Sequence, residues 1–429
     1  MNLNMGIFLL IVGLLLFIGL VVVHEWGHFI AARRGGVEVE EFGIFFPPRL
    51  YKRKTKGGWL FTINALPLGG FVKLKGEHDS DTGKGSYGAA RTRTKVKIML
   101  AGVFMNLVTA WVLFTILALI GMPKLIDNQF TVKSDTKTTK SQVLISYIEP
   151  GSPAAKAGLQ LRDRLVGAWT NGRTASDECI YPSLATLNEP KNDLVNNLVC
   201  GREVVSQDTP NYVIGSADAL HNLTKTHPGQ AIILLVNRNG TDYVTEATLR
   251  GTSEVNASAK TNHPKGYLGV EPAEFSLQRS TWSAPIVAVG LSAQLTALTY
   301  QGLGHALAGL GGIIAGAFTG NHAARENAQT TASSQVSGPV GIFVILKDGS
   351  LLGYQFMLMI IAVISLTLAI MNVLPIPALD GGRLFVTVIS RLVKKKISPK
   401  AEEAIYGTGF AVLMLLIILI TVVDVQRFF

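Results

Sequence analysis

The chain has 429 residues, 48% of them hydrophobic and only 16% charged, and its mean hydropathy is +0.34. That composition excludes an ordinary soluble globule and a disordered chain, and the length leaves room for two or three units. The formal charge is +10, yet residues 31–97 hold fourteen Lys or Arg against six acids while 124–281 hold sixteen of each sign. Basic loops beside apolar spans are what the positive-inside bias produces, so the expected surroundings are a lipid bilayer and no nucleic acid.

Met5 to Val23 is an uncharged, mainly apolar run. The residues before it carry no Lys or Arg, no small-residue cleavage site follows, and Arg33 and Arg34 come after it. It reads as a retained first transmembrane helix that enters from outside and ends near the cytoplasmic face, not as a secretory signal. The run continues directly into His24-Glu25-Trp26-Gly27-His28. Helical continuation puts His24 and His28 on one face, a turn apart, with Glu25 beside them. Two neutral imidazoles suit Zn²⁺, and a carboxylate near the bound water can take its proton. The pattern is short enough to arise by chance, but three ionisable residues at the end of an apolar helix carry a cost that argues for function.

Residues 37–95 form a polar, glycine-rich interlude. Gly58–Asn64 and Gly69–Leu74 alternate as strands do, with a turn expected at Leu66–Gly69. A small sheet lying against the membrane could offer an edge, Gly70 to Leu74, to an extended substrate, or could serve structure alone. His78 lies in a charged stretch and is not expected to bind metal. Ile98 to Ile120, behind the basic flank Arg91–Lys97, has the length of a second span. Asn106 interrupts it and needs a partner, either in helix packing, the simpler role, or in the active site.

The block 124–281 is polar and balanced in charge, and it belongs on the side opposite the basic loops. Ile145–Leu159, followed by Asp163–Val166, reads as strand, tight turn, short helix and strand. A later helix near Asp218–Leu223 and the strand Ala231–Val236 complete one compact unit. Residues 175–214 match none of these elements and read as an insertion. Both cysteines, Cys179 and Cys200, fall inside it, as a disulfide or as two free thiols.

From Pro285 to Phe318 the chain is apolar but rich in Gly and Ala. Helices at the interface or packed on the bundle are expected there rather than a crossing, which would put the remaining basic loop on the wrong side. The turn Gly338-Pro339-Val340-Gly341-Ile342 leads to a third span, Phe356–Val373. That span ends in Asn372-Val373-Leu374-Pro375-Ile376-Pro377-Ala378-Leu379-Asp380-Gly381. Two prolines there unwind the helix, which a membrane tolerates only where protein or a cavity satisfies the freed backbone groups. Asp380 has the right chemistry for a third zinc ligand, although alone it would read as a helix cap. Ile405–Val423 makes a fourth span with no polar cluster that asks for a role.

With these motifs in order, the chain resembles the site-2 proteases, the M50 family of intramembrane zinc endopeptidases, and within it the bacterial regulator-of-sigma-E type. The resemblance rests on His24-Glu25-x-x-His28, Pro67–Lys73, Gly338–Ile342 and Asn372-x-x-Pro375-x-Pro377-x-Leu379-Asp380-Gly381, and it covers nearly all of the chain outside the insertion. It implies one Zn²⁺ held by His24, His28 and Asp380, Glu25 as general base, and Asn372 in contact with substrate. It implies cleavage of peptide bonds in or near the transmembrane segments of single-span proteins already trimmed by another protease, such as anti-sigma factors or remnant signal peptides. The location it implies is the bacterial cytoplasmic (inner) membrane, with the active site toward the cytoplasm and a PDZ-like domain outside.

The expected fold is therefore a polytopic α-helical membrane protein of about four spans, with a membrane-associated β-hairpin and an inserted extracytoplasmic PDZ-like domain. Its segments are 1–36, 37–95, 96–123, 124–281, 282–354, 355–403 and 404–429. Val103 stands where the family commonly has proline, and one PDZ-like unit appears where the best-known type has two. A zinc enzyme acting on a lipid or small molecule would leave the PDZ-like domain without a purpose. A non-enzymatic scaffold presenting that domain would not need the charged residues.

Overall fold

The structure is a computed structural model. It describes the chain apart from residues 1–2, 78–80, 127, 171–178, 181–198, 201–202, 205–209, 211, 239, 260–263, 320–337, 395–396 and 429. His78 and most of the expected insertion lie outside the described residues. The chain divides into two compact units, one made of Leu3–Met122, Asn128–Thr136 and the chain from Ser280 onward, the other of Pro123–Asp127 and Lys137–Arg279.

The first unit begins with α1 (Leu3–Arg34), an apolar helix that ends on two arginines and a pair of glycines. Then come β1 (Val39–Lys54) and β2 (Leu60–Leu74), which pair antiparallel. The turn expected at Leu66–Gly69 is a bend inside one long strand. Its halves flank the start of β1, because Gly43 pairs with Thr62 on one side and with Phe71 on the other. Gly70–Leu74 is thus an edge run, and among the described residues no strand pairs with its outer side. Trp26 and Phe29 of α1 pack on Phe42 and Trp59 with ring centroids 4.9 to 5.8 Å apart, which docks this sheet against the helix that carries the H-E-x-x-H.

α2 (Thr92–Ile120) packs antiparallel to α1, its basic start at the arginine end of that helix. In the second unit, β3 (Lys137–Ile148), the short α3 (Pro153–Lys156) and β4 (Arg164–Trp169) follow the strand, turn, helix, strand order expected. They continue into α4 (Ala217–Thr226), β5 (Ala231–Arg238), β6 (Thr241–Thr248), α5 (Thr252–Ser258) and β7 (Val270–Arg279). The sheet runs β6-β5-β4-β3-β7. Val143, Ile145, Leu165, Ile232, Leu234 and Val236 alternate inward to form its core. Buried Asp163 holds the Arg238 guanidinium through two bonds of 2.8 Å. Cys179 and Cys200 stand opposite each other on two short paired strands.

The first unit resumes with α6 (Ala284–Thr319), α7 (Pro339–Leu352), α8 (Tyr354–Val373), α9 (Asp380–Leu392) and α10 (Pro399–Phe428). Five helices among the described residues are long and apolar enough to cross a membrane: Met5–Arg34, Thr92–Ile120, Ala284–Ala306, Tyr354–Val373 and Pro399–Gln426. Four are the spans expected. The fifth lies in one continuous helix, 284–319, which makes five candidates against the expected count of about four; the helix packs on the bundle, one of the two placements expected for this stretch. Its small residues let it pack closely: Ala284, Val287, Ala288 and Leu291 share a core with Phe114 of α2 and Leu366 of α8.

α10 also carries a polar role that its hydropathy hides. The buried Asp424 carboxylate accepts the amides of Gly338 and Gly341, each at 2.8 Å, and so caps α7. The glycine-proline motif at 338–342 is therefore a helix start held from another span.

Candidate metal centre

Continuation of α1 past Val23 puts His24 and His28 one turn apart, with side chains on the face toward α2 and α9. Nε2 of His24 and Nε2 of His28 are 3.2 Å apart, and they lie 3.1 and 3.0 Å from Oδ2 of Asp380. Asp380 arrives from 352 residues along the chain. Among the described residues these three form a group able to hold a metal ion.

The donor set fits zinc. Ligand atoms about 2.0–2.2 Å from a tetrahedral zinc stand roughly 3.3–3.5 Å from each other, so this triangle is only a few tenths of an ångström tighter. His28 donates its Nδ1–H to the Ile98 carbonyl at 2.7 Å, which leaves a lone pair on Nε2. That lone pair faces another imidazole nitrogen and a carboxylate oxygen, a convergence that a dication satisfies.

Two local features build the triangle. Pro375 and Pro377 stop α8 at Leu374, and the loop to α9 passes through Ala378 at φ +93°, a strained backbone that aims the first turn of α9 inward. On α2, Gly102 clears the floor: a β-carbon there would collide with Nε2 of His28 and lie 2.7 Å from Cε1 of His24.

A cavity of about 480 Å³ is lined by Gly27, Ala101, Phe104 and Met105, and a second of about 460 Å³ reaches His28 and Asp380 of the site, with His24 outside its lining. Glu25, His28, Asp380 and the whole of Gly70, Phe71, Val72, Lys73 and Leu74 line the latter, so the structure brings together every one of these residues expected from sequence. Gly70 sits against Glu25, since a β-carbon there would be 3.1 Å from the Glu25 Cγ. The Val72 amide lies near enough to the Glu25 carboxylate to favour its charge. Asn372, in the last turn of α8, is half-buried and is not among the residues lining the cavity.

Three further neighbours stand at the site, of which sequence reasoning had named Asn106 alone. Asn106, for which helix packing was the simpler expectation, is 1% exposed and places its amide nitrogen 3.2 Å from Nδ1 of His24. Glu77 accepts the Leu74 amide at 3.0 Å and meets Arg383 at 3.4 Å, and both line the cavity. The polar interruption of an apolar helix was the signal for Asn106. Glu77 and Arg383 gave none, because charges in polar segments are ordinary.

A helix-borne H-E-x-x-H joined by a distant aspartate inside a bundle of candidate spans defines a membrane-embedded zinc metallopeptidase. The profile of peptidase family M50 matches residues 12–416, and the chain belongs to that family. It is 28% identical to a "Putative zinc metalloprotease" of Clostridium perfringens over 97% of this chain and 98% of that protein. It is 26% identical to the zinc metalloprotease RasP of Shouchella clausii over 96% and 97%. The chain is thus an intramembrane zinc metalloendopeptidase of the site-2 type, a bacterial multi-pass membrane protein whose substrates are membrane-embedded proteins.

Proposed function

We propose that the enzyme cuts single-span membrane proteins, already shortened by another protease, at bonds in or near their transmembrane segments, with Glu25 as general base. The observation that carries this reading is the β2 edge Gly70–Leu74, whose outer side no strand pairs among the described residues, lining the same cavity as Glu25, His28 and Asp380. The carbonyls of a helical substrate are already hydrogen-bonded, so the bond to be cut must first be unwound. A strand edge beside the site, its Leu74 amide held only by the displaceable Glu77 carboxylate, supplies replacement partners for an extended segment.

Zinc held by His24, His28 and Asp380 supplies, when bound, polarisation of the scissile carbonyl and a water acidic enough to lose a proton near neutral pH. Glu25 takes that proton and delivers it to the leaving amine. The nearby Val72 amide favours the charged form of the Glu25 carboxylate. Asn372 orients the substrate from the end of α8.

The basic residues at the paired ends of α1 and α2 support an active site toward the cytoplasm of the inner membrane. The β-sheet unit then lies outside, and its strand, turn, helix, strand order supports a PDZ-like fold that screens bulky ectodomains. The cavity, about 460 Å³, suits a trimmed single segment better than a folded domain.

The test compares the purified, detergent-solubilised chain with Glu25→Gln on a panel of single-span membrane peptides. Both should hold about one zinc per chain, and only the native chain should cut. Native-rate cleavage by Glu25→Gln, or no cleavage by a zinc-loaded native chain, overturns the reading.

A further inference from the structure

We propose that Asn106 is a positioning residue for the metal site: its side-chain oxygen accepts the Nδ1 proton of His24 and so fixes Nε2 as the ligand atom. The proposal rests on the zinc site formed by His24, His28 and Asp380. Nε2 of His24 is the nitrogen that faces Asp380, at 3.1 Å, and His28, at 3.2 Å. A neutral imidazole that binds a metal through Nε2 carries its proton on Nδ1, and that proton needs an acceptor.

His28 has one, the Ile98 carbonyl at 2.7 Å. At the corresponding place behind His24 stands the Asn106 amide, whose nitrogen is 3.2 Å from Nδ1. In that orientation an NH₂ group would face an N–H group, donor against donor. At the same time the Asn106 oxygen is buried with no hydrogen-bond partner. Which end of an amide is nitrogen is an assignment made from its hydrogen bonds. A half-turn of the amide brings the oxygen to the Nδ1 proton in place of the opposed donor, and the NH₂ group then takes the oxygen's former place.

The helix is held for this role. Ser365 on α8 donates its hydroxyl to the Asn106 backbone carbonyl at 2.8 Å, and both residues are fully buried. The two imidazoles are therefore backed by different means, one by a main-chain carbonyl that no substitution removes, the other by a single side chain.

The experiment measures zinc affinity of the full-length protein in detergent by competition with a chromophoric chelator, alongside thermal melts of the zinc-free forms. Asn106→Leu keeps the volume and removes the acceptor, and should weaken zinc binding about 10–100-fold with an unchanged zinc-free melt. Asn106→Asp, whose carboxylate only accepts, should bind zinc at least as tightly as the native chain. Native affinity in a folded Asn106→Leu, or loss of affinity in Asn106→Asp equal to that in Asn106→Leu, overturns the proposal. If Asn106→Leu does not fold, Asn106→Asp alone decides: retained affinity supports an acceptor role, and lost affinity refutes it. Failure of the native chain itself to hold zinc sinks the metal site and this proposal with it, and is distinguished by that control.

Discussion

Gly102 of α2 lies directly against the His28 imidazole, so close that a β-carbon on it would overlap Nε2. The contact involves the backbone of one span and a ligand on another, and neither can retreat within a packed bundle. Gly102→Ala should therefore displace the ligand ring. Zinc affinity should drop by about tenfold or more, and the zinc-free form should melt somewhat earlier, since overpacking costs about 1–3 kcal/mol against a helix-propensity gain of about 1 kcal/mol. Chelator competition with a parallel melt checks this, and native zinc affinity in the variant would show that the floor can yield.

The Leu74 amide donates to Glu77 at 3.0 Å, and the Val72 amide lies near enough to Glu25 to favour its charge. Val72→Pro removes a donor from the substrate-facing edge and from beside the Glu25 carboxylate, without touching a metal ligand. Cleavage should slow by about tenfold or more, the size expected when a catalytic group loses its orientation, with zinc content unchanged. The control is Lys73→Ala, which leaves every backbone donor in place. Equal rates for Val72→Pro and Lys73→Ala in well-folded protein would remove edge pairing from the mechanism.

Glu77 links the end of β2 to α9, through the Leu74 amide at 3.0 Å and Arg383 at 3.4 Å. A substrate strand that pairs as far as Leu74 must displace that carboxylate. The ion pair is part-exposed and worth at most about 1 kcal/mol, so displacement is cheap. Glu77→Ala should lower KM by up to about fivefold, the rate equivalent of that energy, with little change in kcat. Steady-state kinetics on one membrane peptide decide the matter, and a raised KM would mean that Glu77 helps hold the substrate.

Stability should depend on acid through Asp135. The hydroxyls of Ser283 and Thr281, together with their backbone amides, hold its carboxyl well below the usual carboxylate range. In doing so it ties the residues just before α6 to a separate loop. A carboxyl depressed in the folded state contributes stability above its unfolded value, about 3.9, and loses it as pH falls toward the folded one. Asp135→Ala should melt earlier than the native chain at neutral pH, and the gap should narrow steadily below about pH 4. A gap independent of pH would assign the effect to packing instead of charge.

Local chemistry made the ligand-bearing helix readable before any fold was known. The spacing of His24, Glu25 and His28 is a property of one helical turn, and nineteen uncharged, mainly apolar residues before it leave little choice but a helix. Four of the spans and the alternating strands around Trp59 and Val72 were legible for the same reason, since hydropathy and periodicity are local. The distant aspartate was nameable only through the company of the two histidines.

Tertiary structure decided what depends on several segments meeting. Nothing in the order of residues says that Gly70–Leu74 is an outer edge, because that follows from β2 bending to pair with both sides of β1. The extra helix at 284–319 was hidden by small residues that lower hydropathy while allowing close packing. Asn106 looked like an isolated polar interruption of an apolar run, and Asp424 lay just past the expected end of the fourth span, until the bundle put His24 beside one and the Gly338 and Gly341 amides beside the other. A buried polar group must find a partner, and the sequence by itself declared that need while only the packing of separate spans settled who the partner was.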